Sequence, residues 1–217
     1  MHRGIVKTVG GLLVSLSLVS CGGGVSEAEV SAALAELIPA SYELNEIYFG
    51  TGLPISDDRA DVEAFYAAMG QGADISLNYH PVSADCGYTS IDEIKEATLA
   101  VFSESYSAYL FTLAFNGISS VFNEDTEEQL TQTVSYARYM ETDGILTVRM
   151  DLSDEALPLG RTYDTDDITI IRDKLKGEHG YLLVEVQSYV GGAPDERVEV
   201  KLVRTSDGGF RLDSPTY

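Results

Sequence analysis

The chain has 217 residues, with 14 basic and 35 acidic side chains and a formal net charge of −21 at pH 7. This excess of negative charge argues against nucleic acid as a partner and against contact with anionic lipid headgroups, because like charges repel at close range. The only two cysteines are Cys21 and Cys86, which excludes a fold held together by several disulfides.

The first 20 residues have the pattern of an export signal. Arg3 and Lys7 give a positive front, and an apolar segment follows over residues 8–19. That segment is shorter than the roughly 20 apolar residues that a membrane-spanning helix needs. We therefore predict that residues 1–20 are a signal peptide.

The signal ends at Leu18-Val19-Ser20-Cys21, which resembles the bacterial lipobox. The resemblance implies that the Cys21 thiol receives a diacylglyceryl group, that a lipoprotein signal peptidase cuts before Cys21, and that the lipid anchors the mature chain. We expect the mature chain to be located on the extracytoplasmic face of the cell membrane, with residues 21–25 as a flexible tether between the lipid and the domain. The alternative is a plain signal or a core helix with an incidental cysteine.

Removal of residues 1–20 takes away Arg3 and Lys7 and no acidic residue, which leaves 12 basic and 35 acidic side chains and a formal charge of −23. We therefore expect the mature chain to contact the membrane through the lipid alone. Acylation of Cys21 leaves Cys86 without an intramolecular partner, so we expect a monomer without a disulfide. The length of residues 26–217 suits one domain with its own core.

Helices are predicted in the first half of the chain. Ser26 has the sequence context of an N-cap, and apolar residues at helical spacing follow, with Pro39 expected to kink or end this helix. A short helix is predicted over 61–69. A capping box at Ser90 opens a further helix, which we expect to break near Ser103.

Strands are predicted beyond residue 132, where apolar residues recur at every second position. They cover 146–152, 168–172, 182–186, 198–202 and 210–212. Short turn-forming links join most of them, so neighbours in sequence should pair in an antiparallel manner. The predicted fold is α+β, with N-terminal helices packed on a curved antiparallel meander sheet.

This order of elements resembles the NTF2-like or cystatin-like cone. The stretches YHPVSADCGYTSIDEIKEATLAVFSESYSAYL (79–110) and GGFRLDSPTY (208–217) resemble uncharacterised lipoproteins of clostridial-type bacteria. More distantly, they are similar to a secreted family that inhibits cell-wall DL-endopeptidases. Phe210 stands where that inhibitor family usually has a tryptophan. The resemblance implies an envelope protein and carries no catalytic residue over to this chain.

Four tyrosines are candidates for ligand binding, namely Tyr42, Tyr48, Tyr106 and Tyr109. Aromatic walls with polar tips bind ligands at the mouth of a cone. The alternative is that tyrosines at helical spacing form half-buried core.

Carboxylates are concentrated in one short stretch, at Asp164, Asp166 and Asp167. Hard cations such as calcium bind several oxygens around one loop, which makes this stretch a candidate metal site. It lacks the central glycine and the terminal glutamate of an EF-hand, and a solvated charge run is the other interpretation. A second acidic run, over 123–128, likewise does not match the pattern of an EF-hand loop.

A catalytic interpretation rests on His80, Asp85 and Cys86, because a thiol nucleophile needs a neighbouring base. Pro81 and Gly87 make this segment a turn, and catalytic Cys and His normally come from separate elements. We therefore predict that the protein is not an enzyme and needs no cofactor.

Two functions compete for this chain. The first is a non-catalytic, lipid-anchored binding module that recognises a protein partner of the envelope or a small ligand. The second is an inhibitor or regulator of a peptidoglycan DL-endopeptidase. An enclosed cavity would favour the first, and a solid core with a protruding acidic loop would favour the second.

Overall fold

The structure, a computed structural model, describes residues 24–69, 79–116, 118–123, 128–133, 137–150, 159–176 and 180–217. The predicted signal peptide and the lipidation residue Cys21 lie outside these ranges, as does most of the second acidic run. Within the described residues, no helix is both long enough and apolar enough to cross a membrane.

The first helix, α1, spans Glu27–Phe49. Ser26 caps it as predicted, since its Oγ accepts a hydrogen bond from the Glu29 amide at 3.2 Å. The helix does not end at Pro39, which lies inside it. Leu44 and Ile47 are buried beyond the proline, and their packing offsets the helical hydrogen bond that Pro39 cannot make.

The described residues of the first half contain three further α-helices: α2 Arg59–Met69, α3 Ile91–Val101 and α4 Glu104–Phe115. The α2 helix begins two residues before the predicted start. Ser90 caps α3 by accepting from the Glu93 amide at 3.2 Å, and the Glu93 carboxylate in turn accepts from the Thr89 amide at 2.6 Å. The predicted break lies at Ser103, which caps α4 by accepting from the Tyr106 amide at 3.1 Å.

Within the described ranges, nine strands form three separate sheets. Their bounds are β1 Tyr79–Pro81, β2 Ile118–Asn123, β3 Glu128–Thr133, β4 Tyr139–Thr142, β5 Ile145–Arg149, β6 Arg161–Asp173, β7 Tyr181–Val190, β8 Ala193–Arg204 and β9 Phe210–Leu212. The sheets have the strand orders β1-β5-β4, β2-β3 and β6-β7-β8-β9, and all pairs are antiparallel. The α+β class is therefore confirmed.

The predicted single meander is wrong for its first strand. The segment around 146–152 contains β5, which pairs with β1 and β4 and not with β6. Asp143 and Gly144 have φ values of 51° and 77°, the conformation of a tight hairpin turn that joins β4 to β5. With β1 on its other edge, β5 has no free edge for β6. The meander is confined to β6–β9.

One contiguous apolar core joins α1, α3 and α4 to both larger sheets. Leu34 of α1, Val184 of β7 and Leu202 of β8 are fully buried in it. Tyr139 of β4 and Val148 of β5 belong to the same cluster. The alternation of buried and half-buried residues along β7 leaves the other face of the four-stranded sheet turned away from α1.

Candidate functional site

A cleft lies where α1, the start of β6 and the C-terminal residues meet. Its volume is about 170 Å³, less than the roughly 300–1,000 Å³ of sites for drug-sized ligands. It is therefore large enough for one side chain or one small polar molecule. The lining residues are Tyr42, Asn45, Glu46, Leu159, Gly160, Arg161, Thr162, Thr216 and Tyr217.

The C-terminal wall of the cleft is fixed by a buried hydrogen-bond network. The Ser41 hydroxyl donates to the Ile38 carbonyl at 2.7 Å and lies 2.6 Å from the Thr216 hydroxyl. Because the hydrogen of Ser41 is already used, Thr216 donates to Ser41. The Thr216 oxygen then accepts from Asn45 Nδ2 at 2.9 Å. Every hydroxyl in this network is satisfied, which holds Tyr217 at the rim of the cleft.

Tyr217 connects the cleft to an aromatic cluster. Its ring centroid lies 4.6 Å from that of Phe49. Burial, followed by the neighbouring Tyr109, raises the pKa of Tyr217. Burial and then the neighbouring Tyr217 raise the pKa of Tyr106, whose ring lies 6.2 Å from that of Tyr109. The hydroxyls of Tyr106 and Tyr217 are therefore protonated, neutral groups at physiological pH.

The four predicted tyrosines do not share one site. Tyr42 lines the cleft, and burial raises its pKa. Tyr48 belongs to the core, where its hydroxyl lies 2.8 Å from Thr98 Oγ1. Tyr106 is half-buried in the aromatic cluster, and Tyr109 is 53% exposed. Of the four, only Tyr42 is a lining residue.

The charges at the cleft are unevenly compensated. Arg161 Nη2 lies 3.3 Å from Asp195 Oδ2, and its Nη1 lies 3.4 Å from Glu196 Oε1. Its positive charge is therefore offset by two carboxylates. Among the described residues Glu46 forms no ion pair, and its carboxylate folds back over Gly50, into the space that a Cβ on Gly50 would occupy. The cleft therefore favours neutral or cationic groups over anions.

The three predicted metal-binding aspartates lie on β6 beside a register shift between Asp164 and Ile168. Asp164 Oδ1 accepts from the Asp166 amide at 3.1 Å, and Asp167 Oδ1 lies 2.8 Å from Arg197 Nη1. Within the described ranges, no three His, Cys, Asp or Glu side chains come together in a group that could hold a metal ion. The calcium hypothesis therefore has no support from their geometry.

The thiol candidate Cys86 lies in a short 3₁₀ turn, Ala84–Cys86. Its Sγ donates to the Tyr88 carbonyl at 3.2 Å. Burial raises the pKa of the Cys86 thiol, and the carboxylates of Glu93 and Asp85 raise it further. A thiol nucleophile needs the opposite shift. Its predicted base, His80, lies on β1 opposite Val148.

We expect Cys86 to react slowly with iodoacetamide at neutral pH, and faster as the pH rises toward and beyond the usual cysteine pKa. The reason is that only the thiolate attacks, and the raised pKa lowers its fraction. The rate of alkylation is measured on folded protein of residues 24–217, which contains Cys86 and no other cysteine. The same protein unfolded in urea is the control. A folded chain that reacts as fast as the unfolded one at pH 7 would contradict this prediction.

Four residues that line the cleft were not predicted from the sequence, namely Asn45, Arg161, Thr216 and Tyr217. One sequence pattern could have indicated Asn45. Ser41 and Asn45 are four residues apart on a helix face that is otherwise apolar, and polar groups in such a position need a buried partner. That partner is Thr216, which lies 175 residues from Ser41. No local sequence pattern indicates this pairing.

Comparison with protein-family models, with curated proteins and with solved structures finds no match. The resemblances to cone-shaped domains, to clostridial-type lipoproteins and to endopeptidase inhibitors therefore stay predictions.

Proposed function

We propose that the chain is a lipid-anchored, non-catalytic binding module of the cell envelope, and that the cleft is its binding site. The observation that carries the proposal is the cleft itself, whose C-terminal wall is fixed by the buried contacts of Thr216 with Ser41 and Asn45. The lipobox at Cys21 supports the location. The proposal includes the finer description of the fold as an NTF2-like or cystatin-like cone.

The chemistry of the cleft limits the ligand. Tyr42 and Tyr217 offer aromatic surface, and Thr162 and Asn45 offer polar groups. Glu46 adds a carboxylate that no cation neutralises within the described residues. A small neutral or cationic group, such as one sugar or one amino-acid side chain of the wall or of an envelope protein, matches this lining in size and charge.

The regulator alternative has weaker support. It relied on an acidic loop, yet Asp164, Asp166 and Asp167 lie within β6. Asp167 is already paired with Arg197 at 2.8 Å, which reduces its attraction for a second cation. An inhibitory contact through Asp167 would have to compete with that pair.

Soluble muropeptides are expected to shift the amide resonances of residues 162, 216 and 217 when they are titrated into isotope-labelled protein of residues 24–217. Tyr42→Ala should weaken this binding by about tenfold or more, because it removes an aromatic wall worth about 1.4 kcal/mol. Tyr109→Ala is the matched control, since Tyr109 is not a lining residue.

Two outcomes would contradict the cleft as the binding site for wall fragments. One is the absence of any shift at saturating muropeptide. The other is equal weakening by both variants. Unchanged cleavage of peptidoglycan by a DL-endopeptidase at a large excess of the domain would separately retire the regulator alternative.

A further inference from the structure

Basic side chains are concentrated at one end of the four-stranded sheet, although the chain as a whole is strongly acidic. This end contains the last residues of β6, the first of β7, the last of β8 and the first of β9. The basic residues there are Arg172, Lys174, Lys176, Lys201, Arg204 and Arg211. Asp173, Asp207 and Asp213 lie at the same end, and Glu29 pairs with Arg204, so this end is less acidic than the chain as a whole, which the net charge cannot reveal.

Some of these side chains lie on the outer face of the sheet, away from α1. Leu182 and Leu202 are paired and fully buried on the inner face. The adjacent pairs Tyr181↔Val203 and Leu183↔Lys201 therefore point outward, because side chains alternate along a strand. Arg172 is paired with Leu183 and joins the outer face. We call Arg172, Lys174, Tyr181 and Lys201 the cationic face.

Tyr181 lies at the centre of the cationic face. Arg172 Nη1 donates to the Tyr181 hydroxyl at 3.5 Å, and Lys201 Nζ lies 5.3 Å from the centre of its ring. The hydrogen bond from Arg172, together with the charges of Lys174, Arg172 and Lys201, lowers the pKa of Tyr181. The direction of this shift agrees with the geometry, since a hydrogen-bond donor and nearby positive charges both stabilise the ionised phenol.

Nearby carboxylates neutralise this face only in part. Lys201 Nζ is paired with Asp213 Oδ2 at 2.6 Å, and Glu199 acts on Arg172 at longer range. Within the part of the chain that the structure describes, Arg172 and Lys174 form no ion pair. They are the cations available to an external anion.

The tether leaves the domain beside the same strand end. A Cβ on Gly24 would lie 3.3 Å from Asp173 Oδ2, and Asp173 stands between Arg172 and Lys174. Cys21 precedes Gly24 by three residues, which reach at most roughly 11 Å when extended. A headgroup layer is roughly 5–7 Å thick, and the Debye length is about 8 Å at physiological salt. The two cations are therefore held within electrostatic reach of the headgroups.

We propose that the cationic face binds the anionic headgroups of the membrane in which Cys21 is anchored, an inference that rests on the proposed lipid anchor. The end of the sheet that contains Asp173 then faces the bilayer. The cleft lies at the other end of β6. The two ends of β6 pair with Leu182 and Val190 of β7, so they are separated by roughly 27 Å. The cleft is thereby directed away from the membrane, toward the envelope.

The test uses the full acylated chain in vesicles and a single tryptophan probe, Val203→Trp, because the chain has no tryptophan of its own and Val203 is paired with Tyr181 on the outer face without belonging to the cationic face. A nitroxide on the lipid headgroups should quench this probe more strongly in phosphatidylglycerol vesicles than in phosphatidylcholine vesicles. High salt should remove this additional quenching in the phosphatidylglycerol vesicles. The reference probe is Tyr189→Trp, near the far end of β7, and it should show no excess.

The double variant Arg172→Glu, Lys174→Glu should lose the excess quenching, and Arg172→Gln, Lys174→Gln should reduce it. Both residues are exposed, so the fold should be retained, which circular dichroism checks. Equal quenching in the two kinds of vesicle, or an excess that survives charge reversal, would overturn the proposal. Flotation of the vesicles tests the anchor separately, since a chain that does not float contradicts the proposed function and not merely the orientation.

Discussion

The Cys21→Ser variant of the full chain is expected to incorporate no labelled fatty acid, to retain residues 1–20 and to leave the membrane fraction in an alkaline wash. Each buried methylene of a lipid chain adds about 0.8 kcal/mol of membrane affinity, and stable attachment takes about two chains. A diacylglyceryl group supplies both chains at one residue. Without it, only the short apolar segment 8–19 remains, which is too short to span the bilayer.

Cys86→Ser is the matched control for this experiment, because it removes the other cysteine and should leave both labelling and attachment unchanged. Fatty-acid label that persists on Cys21→Ser would contradict the assignment of the lipid to Cys21. Equal labelling loss in both variants would show that the label does not report on the lipobox.

Leu34→Ala is expected to lower the free energy of unfolding by about 2–5 kcal/mol, because truncation of a fully buried leucine loses transfer free energy and leaves a cavity. Leu34 has 0% exposure and lies within the core that joins α1 to both larger sheets. Urea unfolding of residues 24–217 gives the change from the shift of the midpoint at constant slope.

The matched control is Leu99→Ala on α3, where the same leucine side chain is 41% exposed. Its cost should stay below about 1 kcal/mol, because surface substitutions rarely change stability strongly. If both variants lost equal stability, α1 would not cover the core as described. A changed slope for Leu34→Ala would indicate a change in the unfolded or native state instead of a simple loss of packing.

The helices and the final meander could be predicted because their signals are local. Ser26, Ser90 and Ser103 each accept a hydrogen bond from an amide three residues ahead. The turn at Gly191 and Gly192, with φ values of 60° and 80°, joins two alternating strands that are adjacent in sequence. Patterns of this kind lie within a few residues of one another, so a sequence reveals them.

The three-stranded sheet could not be predicted, because its central pairing is not local. Its edge strands β1 and β4 have only 3 and 4 residues, too few for a period to be recognised. Tyr79 of β1 pairs with Arg149 of β5, far along the chain. The pairing depends on tertiary packing, including Tyr79 and Tyr139, which are almost fully buried.

The candidate site could be predicted only in part, for a related reason. Tyr42 was found because an aromatic residue on a helix is visible in the sequence. Thr216 was missed because its role arises from contacts with Ser41 and Asn45 on a distant element. The cationic face was missed because a net charge averages over the whole surface, whereas Arg172 and Lys201 come together only when β6, β7 and β8 pair.

The mass of the N-terminal peptide of the protein extracted from membranes decides whether the chain is lipid-anchored at Cys21. We expect a peptide that begins at Cys21 and carries the mass of a diacylglyceryl group on that residue. An unmodified peptide that begins at any other residue, or one that contains an unmodified Cys21, would contradict the assignment of this chain as a lipid-anchored protein of the envelope.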